Sequence, residues 1–211
     1  MPQRILPVPE LAFKVNMDPV AFRLKYLKDA RDQEVVRAAA DKADWQPRTA
    51  ARKQTNGDIA TGQGIAYAQR AGTRVAIVAE VEVDRQSGKV RGKRFVVAHD
   101  CGLIVNPHLL TMTLEGNIVQ GVSRALWEEV KFNDKTVTSV DWESYPILDM
   151  MEKPDSIEVV LINRPEVRST GAGEATIRPL AAAVANAVYD ATGIRIRQAP
   201  LTPDRIKARM V

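Results

Sequence analysis

Apolar and polar positions change period several times along the chain, and each change marks a new element. From Arg74 to Asp84, Val75, Ile77, Ala79, Val81 and Val83 alternate with Arg74, Ala76, Val78, Glu80, Glu82 and Asp84. A period of two predicts a strand, here with its far half facing water. Gln86-Ser87-Gly88-Lys89 has turn chemistry and Val90 to Ala98 is again strand-like, so the two runs read as a hairpin. Gly64 to Ala68 is a candidate neighbouring strand, with Thr61-Gly62-Gln63-Gly64 read as a glycine turn entering it. Further on, Lys131 to Val140 is hairpin-like and Ser156 to Asn163 is strand-like.

Helical spacing governs the remaining segments. Asp18-Pro19 is a helix start, an acceptor followed by a residue that needs no amide hydrogen, and Phe22 and Tyr26 follow at helical spacing. A second helix is predicted from about Asp32 to Ala43 on Val35, Val36, Ala39 and Ala40, and Trp45-Gln46-Pro47 ends it. Residues 46–61 read as a surface loop and a lobe boundary. From His108 to Glu129, Leu114, Ile118, Val122, Ala125 and Leu126 cluster opposite Gln120 at about 100° per residue, while Thr113, Gly116, Asn117 and Arg124 fall beside Gln120. Pro179 to Thr192 repeats the pattern, with Gly193 as a stop, and Thr202-Pro203-Asp204 opens a short last helix. The predicted class is α+β, mixed helices and antiparallel hairpins in two small lobes: a helical lobe over 1–60 and an α+β region over 61–211.

Composition narrows the chemistry. The 211 residues hold one cysteine, Cys101, and two histidines, His99 and His108. Intrachain disulfides, a four-cysteine iron–sulfur cluster and a closed structural zinc site are excluded, and no residue is assigned as a metal ligand. The net charge of +4 permits acidic partners, but the basic residues are spread thinly and aromatics are only 5%, so a nucleic-acid surface is not expected. No apolar run in the sequence reaches the length of a membrane span, and Met1 to Val20 carries no signal-peptide core, so the expected location is cytoplasmic, with a periplasmic parent enzyme as the alternative.

Three places carry candidate chemistry. In Gly171-Ala172-Gly173-Glu174 the glycines let the backbone pass close to a ligand, and the following helix start favours anions. Glu174 there reads either as a poised general base or as an ordinary carboxylate at a helix start. Gln120 offers a neutral amide suited to a polar heterocycle, or is simply a solvated helix position. Gly116 and Gly121 each cost a helix about 1 kcal/mol against alanine, which implies close approach of something to the backbone. Asp100-Cys101-Gly102 reads as a turn with a buried small thiol, His99 as a satisfied strand-end residue, and Arg195 and Arg197 as solvated edge charges.

Taken in order, these segments resemble a known family. Asp18-Pro19-Val20-Ala21-Phe22-Arg23-Leu24, His99-Asp100-Cys101-Gly102 with Asn106-Pro107, Leu114-Glu115-Gly116, Val119-Gln120-Gly121, Gly171-Ala172-Gly173-Glu174, Asn186-Ala187 and Ala191-Thr192-Gly193 form the set. It is similar to the C-terminal part of the molybdopterin-binding large subunit of the xanthine oxidase/aldehyde oxidase family, in its isoquinoline 1-oxidoreductase β-subunit branch. The resemblance implies a portion of a molybdenum hydroxylase, an oxidoreductase that oxidises N-heterocycles or aldehydes with water as the oxygen source. The implied cofactor is molybdopterin, with or without a cytosine dinucleotide tail, and the pterin's own sulfurs hold the metal. Glu174 matches the family's general-base glutamate and Gln120 a glutamine that hydrogen-bonds the pterin. Gly116, Gly121, Gly171 and Gly173 would then let the backbone approach the cofactor.

The implied partners are the N-terminal half of the same subunit, a small subunit carrying the iron–sulfur clusters, and a small-molecule substrate. Relatives carry a GGGFG-type motif and a second cofactor-binding glutamine loop ahead of this region, and Gly62-Gln63-Gly64 stands at the wrong place in the order to be that loop. Thr113 and Asn117 depart from the Gln and Gly of many relatives, and Arg168-Ser169-Thr170 departs from a Pro/Gly-rich approach to the base loop. The alternative is a non-catalytic remnant or interaction module without cofactor.

Overall fold

The computed structural model describes residues 8–210; the first seven residues of the 1–60 segment, and with them the start of Met1 to Val20, lie outside the described residues, as does Val211. Five strands make one sheet in the order β1-β2-β3-β4-β5: β1 Gln54–Asn56, β2 Ile59–Arg70, β3 Thr73–Asp84, β4 Val90–Asp100 and β5 Ser156–Leu161. The near half of β3 is continuously apolar because both faces of the sheet are covered, and Val75, Ala76, Ile77, Val78 and Ala79 are all 0% exposed. Its far half reaches water only through the half-buried Glu80, Glu82 and Asp84, as the alternation predicts.

Helices form a layer on each face. On one side, α2 (Pro19–Tyr26) and α3 (Ala30–Lys42) seat Val20, Val35, Val36, Ala39 and Ala40 against Ile65, Ala76, Val78, Val96 and Ala98. On the other, α4 (Pro107–Leu126) and α5 (Ile177–Thr192) pack Leu114, Ile118, Val122, Leu180 and Val184 onto Val75, Ile77, Phe95 and Val97. The short α1 (Val8–Lys14) reaches α5 through Phe13, whose ring lies 5.8 Å from that of Tyr189, and α6 (Pro203–Lys207) closes the chain. The cap of α2 forms as expected, Asp18 accepting from the amides of Val20 at 2.8 Å and Ala21 at 2.9 Å. Gly193 ends α5 at φ 78°. The buried residues of α2 are Pro19, Val20 and Arg23, however, while the Phe22 and Tyr26 rings lie tilted against each other with centroids 4.6 Å apart.

Three expectations change. First, β5 is parallel to β4, not part of a hairpin, because α4 carries the chain across the sheet before it returns. Lys131 to Val140 keeps the hairpin-like form expected, reduced to one antiparallel bridge, Phe132 with Val137. Second, the end of the supposed 46–61 loop is β1 and the start of β2, joined by a turn with Gly57 at φ 59°; the Asn56-Gly57 pair is the signal for it.

Third, Thr61 to Gly64 is not a turn but the middle of β2. Its glycines are there for packing. A Cβ on Gly62 would stand 2.1 Å from the Ala187 carbonyl oxygen, and one on Gly64 would stand 2.2 Å from the Ala187 nitrogen. The backbone of α5 therefore rests directly on the backbone of β2, with Ala183, Ala187 and Ala191 along the contact. Gly64→Ala is expected to lower the unfolding free energy by about 3 kcal/mol, since backbone and not a flexible side chain must move. Gly116, whose added Cβ meets nothing within 4 Å, gives the contrast: Gly116→Ala is expected to raise stability by about 0.5–1 kcal/mol. Urea unfolding of the two variants checks both signs.

Candidate functional site

The loop that carries Glu174 is pinned from beneath and open above. Thr73, the first residue of β3 and fully buried, donates from Oγ1 to the Gly171 carbonyl at 2.6 Å and pairs with the Thr170 hydroxyl at 2.7 Å. The Thr170 amide donates to the Cys101 carbonyl at 2.8 Å, just past the end of β4. At the far end of the loop, Thr176 Oγ1 lies 3.3 Å from His99 Nδ1, and both residues are 0% exposed. Above these anchors the Glu174 side chain is 67% exposed and forms an ion pair with Arg70 at the end of β2. A Cβ added to Gly171 or Gly173 would meet nothing within 4 Å.

A buried charge cluster fixes the strand end that the loop hangs from. Asp100 is 0% exposed and accepts from Arg31 Nε at 2.9 Å, from Arg164 Nε at 2.7 Å and from the Gly102 amide at 3.0 Å. Burial pushes its pKa upward, but these donors outweigh that and hold it at about 2. Gly102 turns the chain at φ 77°, where a Cβ would stand 2.4 Å from the Arg168 carbonyl oxygen. Cys101 is the buried turn thiol expected, and burial raises its pKa. His99 is not fully satisfied as expected: its Nε2 has no partner, and burial lowers its pKa to about 4.

The middle of α4 crosses the first turn of α5. A Cβ on Gly121 would stand 3.0 Å from Leu180 and 3.2 Å from Ile177, so the close approach predicted there is helix against helix. Ile177 follows Glu174 by one helical turn, which brings the Gln120-Gly121 step beside the start of the base loop's helix. Gln120 and Gly116 are exposed, and Gln120 makes no side-chain hydrogen bond among the described residues. Asn117, expected beside them, is 9% exposed and turned inward. Among the described residues no group of three His, Cys, Asp or Glu is placed to hold a metal. The neutral amide and bare glycine backbone fit the approach of a large polar cofactor.

Residues 4–154 match the molybdopterin cofactor-binding domain family. The chain belongs to that family. It is similar to a nicotinate dehydrogenase subunit of Pseudomonas putida, 42% identical over 96% of this chain and 18% of the relative. It is also similar to the β-subunit of isoquinoline 1-oxidoreductase from Brevundimonas diminuta, 32% identical over 93% of this chain and 24% of the relative. The fold matches quinoline 2-oxidoreductase from Pseudomonas putida 86 at a TM-score of 0.60 and 28% identity, over 65% of this chain and 18% of that one. The molybdopterin-binding chain thus spans about a fifth to a quarter of the curated relatives named here. The isoquinoline oxidoreductase likeness expected from the sequence is found, and the molybdenum hydroxylase fold with it.

Sequence reasoning missed the supports of this site: Thr73, Arg70, Arg31 and Arg164. Each lies far along the chain from what it holds, so no local pattern exposes it. Arg195 also departs from its expected role: it is half-buried with its guanidinium 3.4 Å from the centre of the Tyr189 ring, while Arg197 remains an exposed charge paired with Glu10. Among the described residues no helix is long and apolar enough to cross a membrane.

The two buried groups predict distinct pH effects. Between pH 6.5 and about 4 the unfolded chain takes up a proton on His99 that the fold refuses, so stability falls as pH drops through that window, by on the order of 3 kcal/mol. Asp100 contributes stability that is complete above about pH 4 and lost toward its folded value of about 2. Denaturant titrations from pH 7.5 to 4.5 are expected to show the first slope in the native chain and a flattened one in His99→Gln.

Proposed function

We propose that this chain forms the second cofactor-binding half of a molybdenum hydroxylase subunit and supplies its general base, Glu174. The observation that carries the reading is a loop fixed at both ends by buried threonines, with its carboxylate left 67% exposed over open glycine backbone. A carboxylate held rigidly but uncovered is prepared for something that docks on top of it. Bound molybdopterin would supply the two-electron oxidising centre and the water-derived oxygen.

This chain's part is local. Glu174 accepts a proton as the carbon–oxygen bond forms. Arg70 keeps the carboxylate in place until then. Gln120 hydrogen-bonds the polar edge of the pterin, and Gly116, Gly171 and Gly173 leave room for it. Gly121 contributes indirectly, by letting α4 lie close enough to α5 to set Gln120 beside the loop.

The substrate class is an electron-poor N-heterocycle or an aldehyde, in keeping with the names of the relatives. Electrons leave through a separate iron–sulfur subunit. The remaining part of the molybdopterin subunit covers exposed apolar side chains such as Val105, Phe132, Val140, Trp142, Met150 and Met151, each more than 70% exposed. A stand-alone module without cofactor has no comparable observation in its favour.

The test places this segment in a complete enzyme with its partner subunits. Glu174→Gln is expected to lower turnover by about 10²–10⁴-fold with molybdenum content unchanged. Gln120→Ala is expected to reduce cofactor retention, read as molybdenum and pterin per subunit after dialysis. Undiminished hydroxylation by Glu174→Gln would remove the assignment of the base.

A further inference from the structure

The outer edge of β2 is finished for part of its length and then left open. In its antiparallel ladder with β3, the main-chain groups of alternate residues turn away from β3. Side chains meet both groups of Gln63 and the carbonyl of Ile65. The Gln63 amide donates to Asp190 Oδ2 at 2.9 Å and its carbonyl accepts from Arg48 Nη2 at 2.6 Å. The Ile65 carbonyl accepts from Arg23 Nη2 and from Asn186 Nδ2, each at 3.1 Å. β1 covers only the far end, pairing with Ile59 to Thr61. By the same alternation the amides and carbonyls of Tyr67 and Gln69 face outward, and no backbone or side-chain group among the described residues pairs with them.

A cleft of about 720 Å³ runs beside this open stretch. Phe22 and Tyr26 of α2 wall it on one face of the sheet, Pro179 and Ala182 of α5 on the other, with Tyr67 and Ala68 of β2 between them. Arg23 also lines it, but its guanidinium is committed to the carbonyls of Pro19 at 2.9 Å and Ile65, so the cleft offers no free buried cation to a small anion. What it does offer is donors and acceptors at strand spacing, flanked by apolar walls. That is the recognition chemistry of an added strand.

We infer that the Tyr67–Gln69 edge accepts one extended segment from the part of the molybdopterin subunit that this chain does not span. The segment carries apolar side chains on alternate residues and stops at Ile65, where Arg23 and Asn186 take the place of a strand. The source rests on the function proposed above. The chain spans 18% of one relative and 24% of another, so most of the polypeptide it works with lies outside it. A second copy of this chain is the competing occupant, and the experiment separates the two.

The chain is co-expressed with the remaining portion of the Pseudomonas putida relative, and amide hydrogen exchange is compared between the complex and the chain alone. The Tyr67 and Gln69 amides are expected to slow by about tenfold or more in the complex. Those of Ala66 and Ala68, which face β3, serve as the internal control. Gln69→Pro removes an outward donor without touching the ladder to β3, and is expected to weaken association about tenfold at an unchanged melting temperature. Should that variant unfold, the exchange comparison decides alone.

A complex in which Tyr67 and Gln69 exchange as freely as in the isolated chain overturns the inference and leaves the cofactor reading intact. Protection that appears in the chain alone, together with a dimer mass as concentration rises, assigns the edge to a second copy and overturns it too. Failure of the two parts to associate removes the partnership and the inference with it. The Glu174→Gln measurement is independent of all three outcomes.

Discussion

The contact of α5 with β2, backbone on backbone, is the constraint on which the other parts of the molecule depend. Gly62 and Gly64 remove every atom that would hold the helix at the usual distance from a sheet. With α5 that close, Asp190 reaches past the edge of β2 to the Gln63 amide and to Arg48 at 3.0 Å and Arg52 at 2.7 Å. Asn186 reaches Ile65 in the same way. The height and tilt of the helix then fix where its first turn begins, and hence where Glu174 stands. A side chain on either glycine would disturb the loop as well as the core, although neither touches the loop.

Buried charge does a second job, fixing the ends of elements that also pack through apolar side chains. Asp100 gathers Arg31 from α3 and Arg164 from the segment after β5 at the exit of β4. Arg74 of β3 reaches Asp32 at 2.7 Å and Asp29 at 2.6 Å, tying the start of α3 to the sheet. Replacing such clusters by apolar residues could leave stability unchanged. What would be lost is direction: each carboxylate accepts only from donors at fixed angles, so each cluster sets the position of a chain segment. At the loop exit, that precision is what keeps a mobile type of structure in one place.

The sequence made some of this legible. Period-two and period-3.6 patterns located β3, β4, α3, α4 and α5, and the Asp-Pro and Gly signals marked the ends of α2 and α5, because those features are local. The ordered motifs pointed to Glu174 and Gln120, and the structure leaves both side chains exposed. Less legible were features set by distant partners. Gly62 and Gly64 look like a turn until a helix more than a hundred residues later is laid on them. The parallel pairing of β5 depends on a crossover, and Thr73 looks like an ordinary strand start until Gly171 comes to it. Arg195 reads as an edge charge because nothing near it in the sequence announces Tyr189 as a stacking partner.

The separation between β2 and α5 also says something about how the molecule comes to be made. Asn186 and Ile65 lie 121 positions apart, and Asp190 and Gln63 lie 127 apart. At ordinary ribosomal speeds of roughly 5–20 residues per second, β2 waits on the order of ten seconds after its synthesis before the helix that covers it exists. Throughout that interval its glycine-rich face is an uncovered strand surface in a crowded compartment. The sheet can pair early, but its second layer cannot close until α5 has left the ribosome. A holding chaperone, or slow translation just ahead of α5, would act on this protein at that step rather than on the early helices, which find their face of the sheet almost at once.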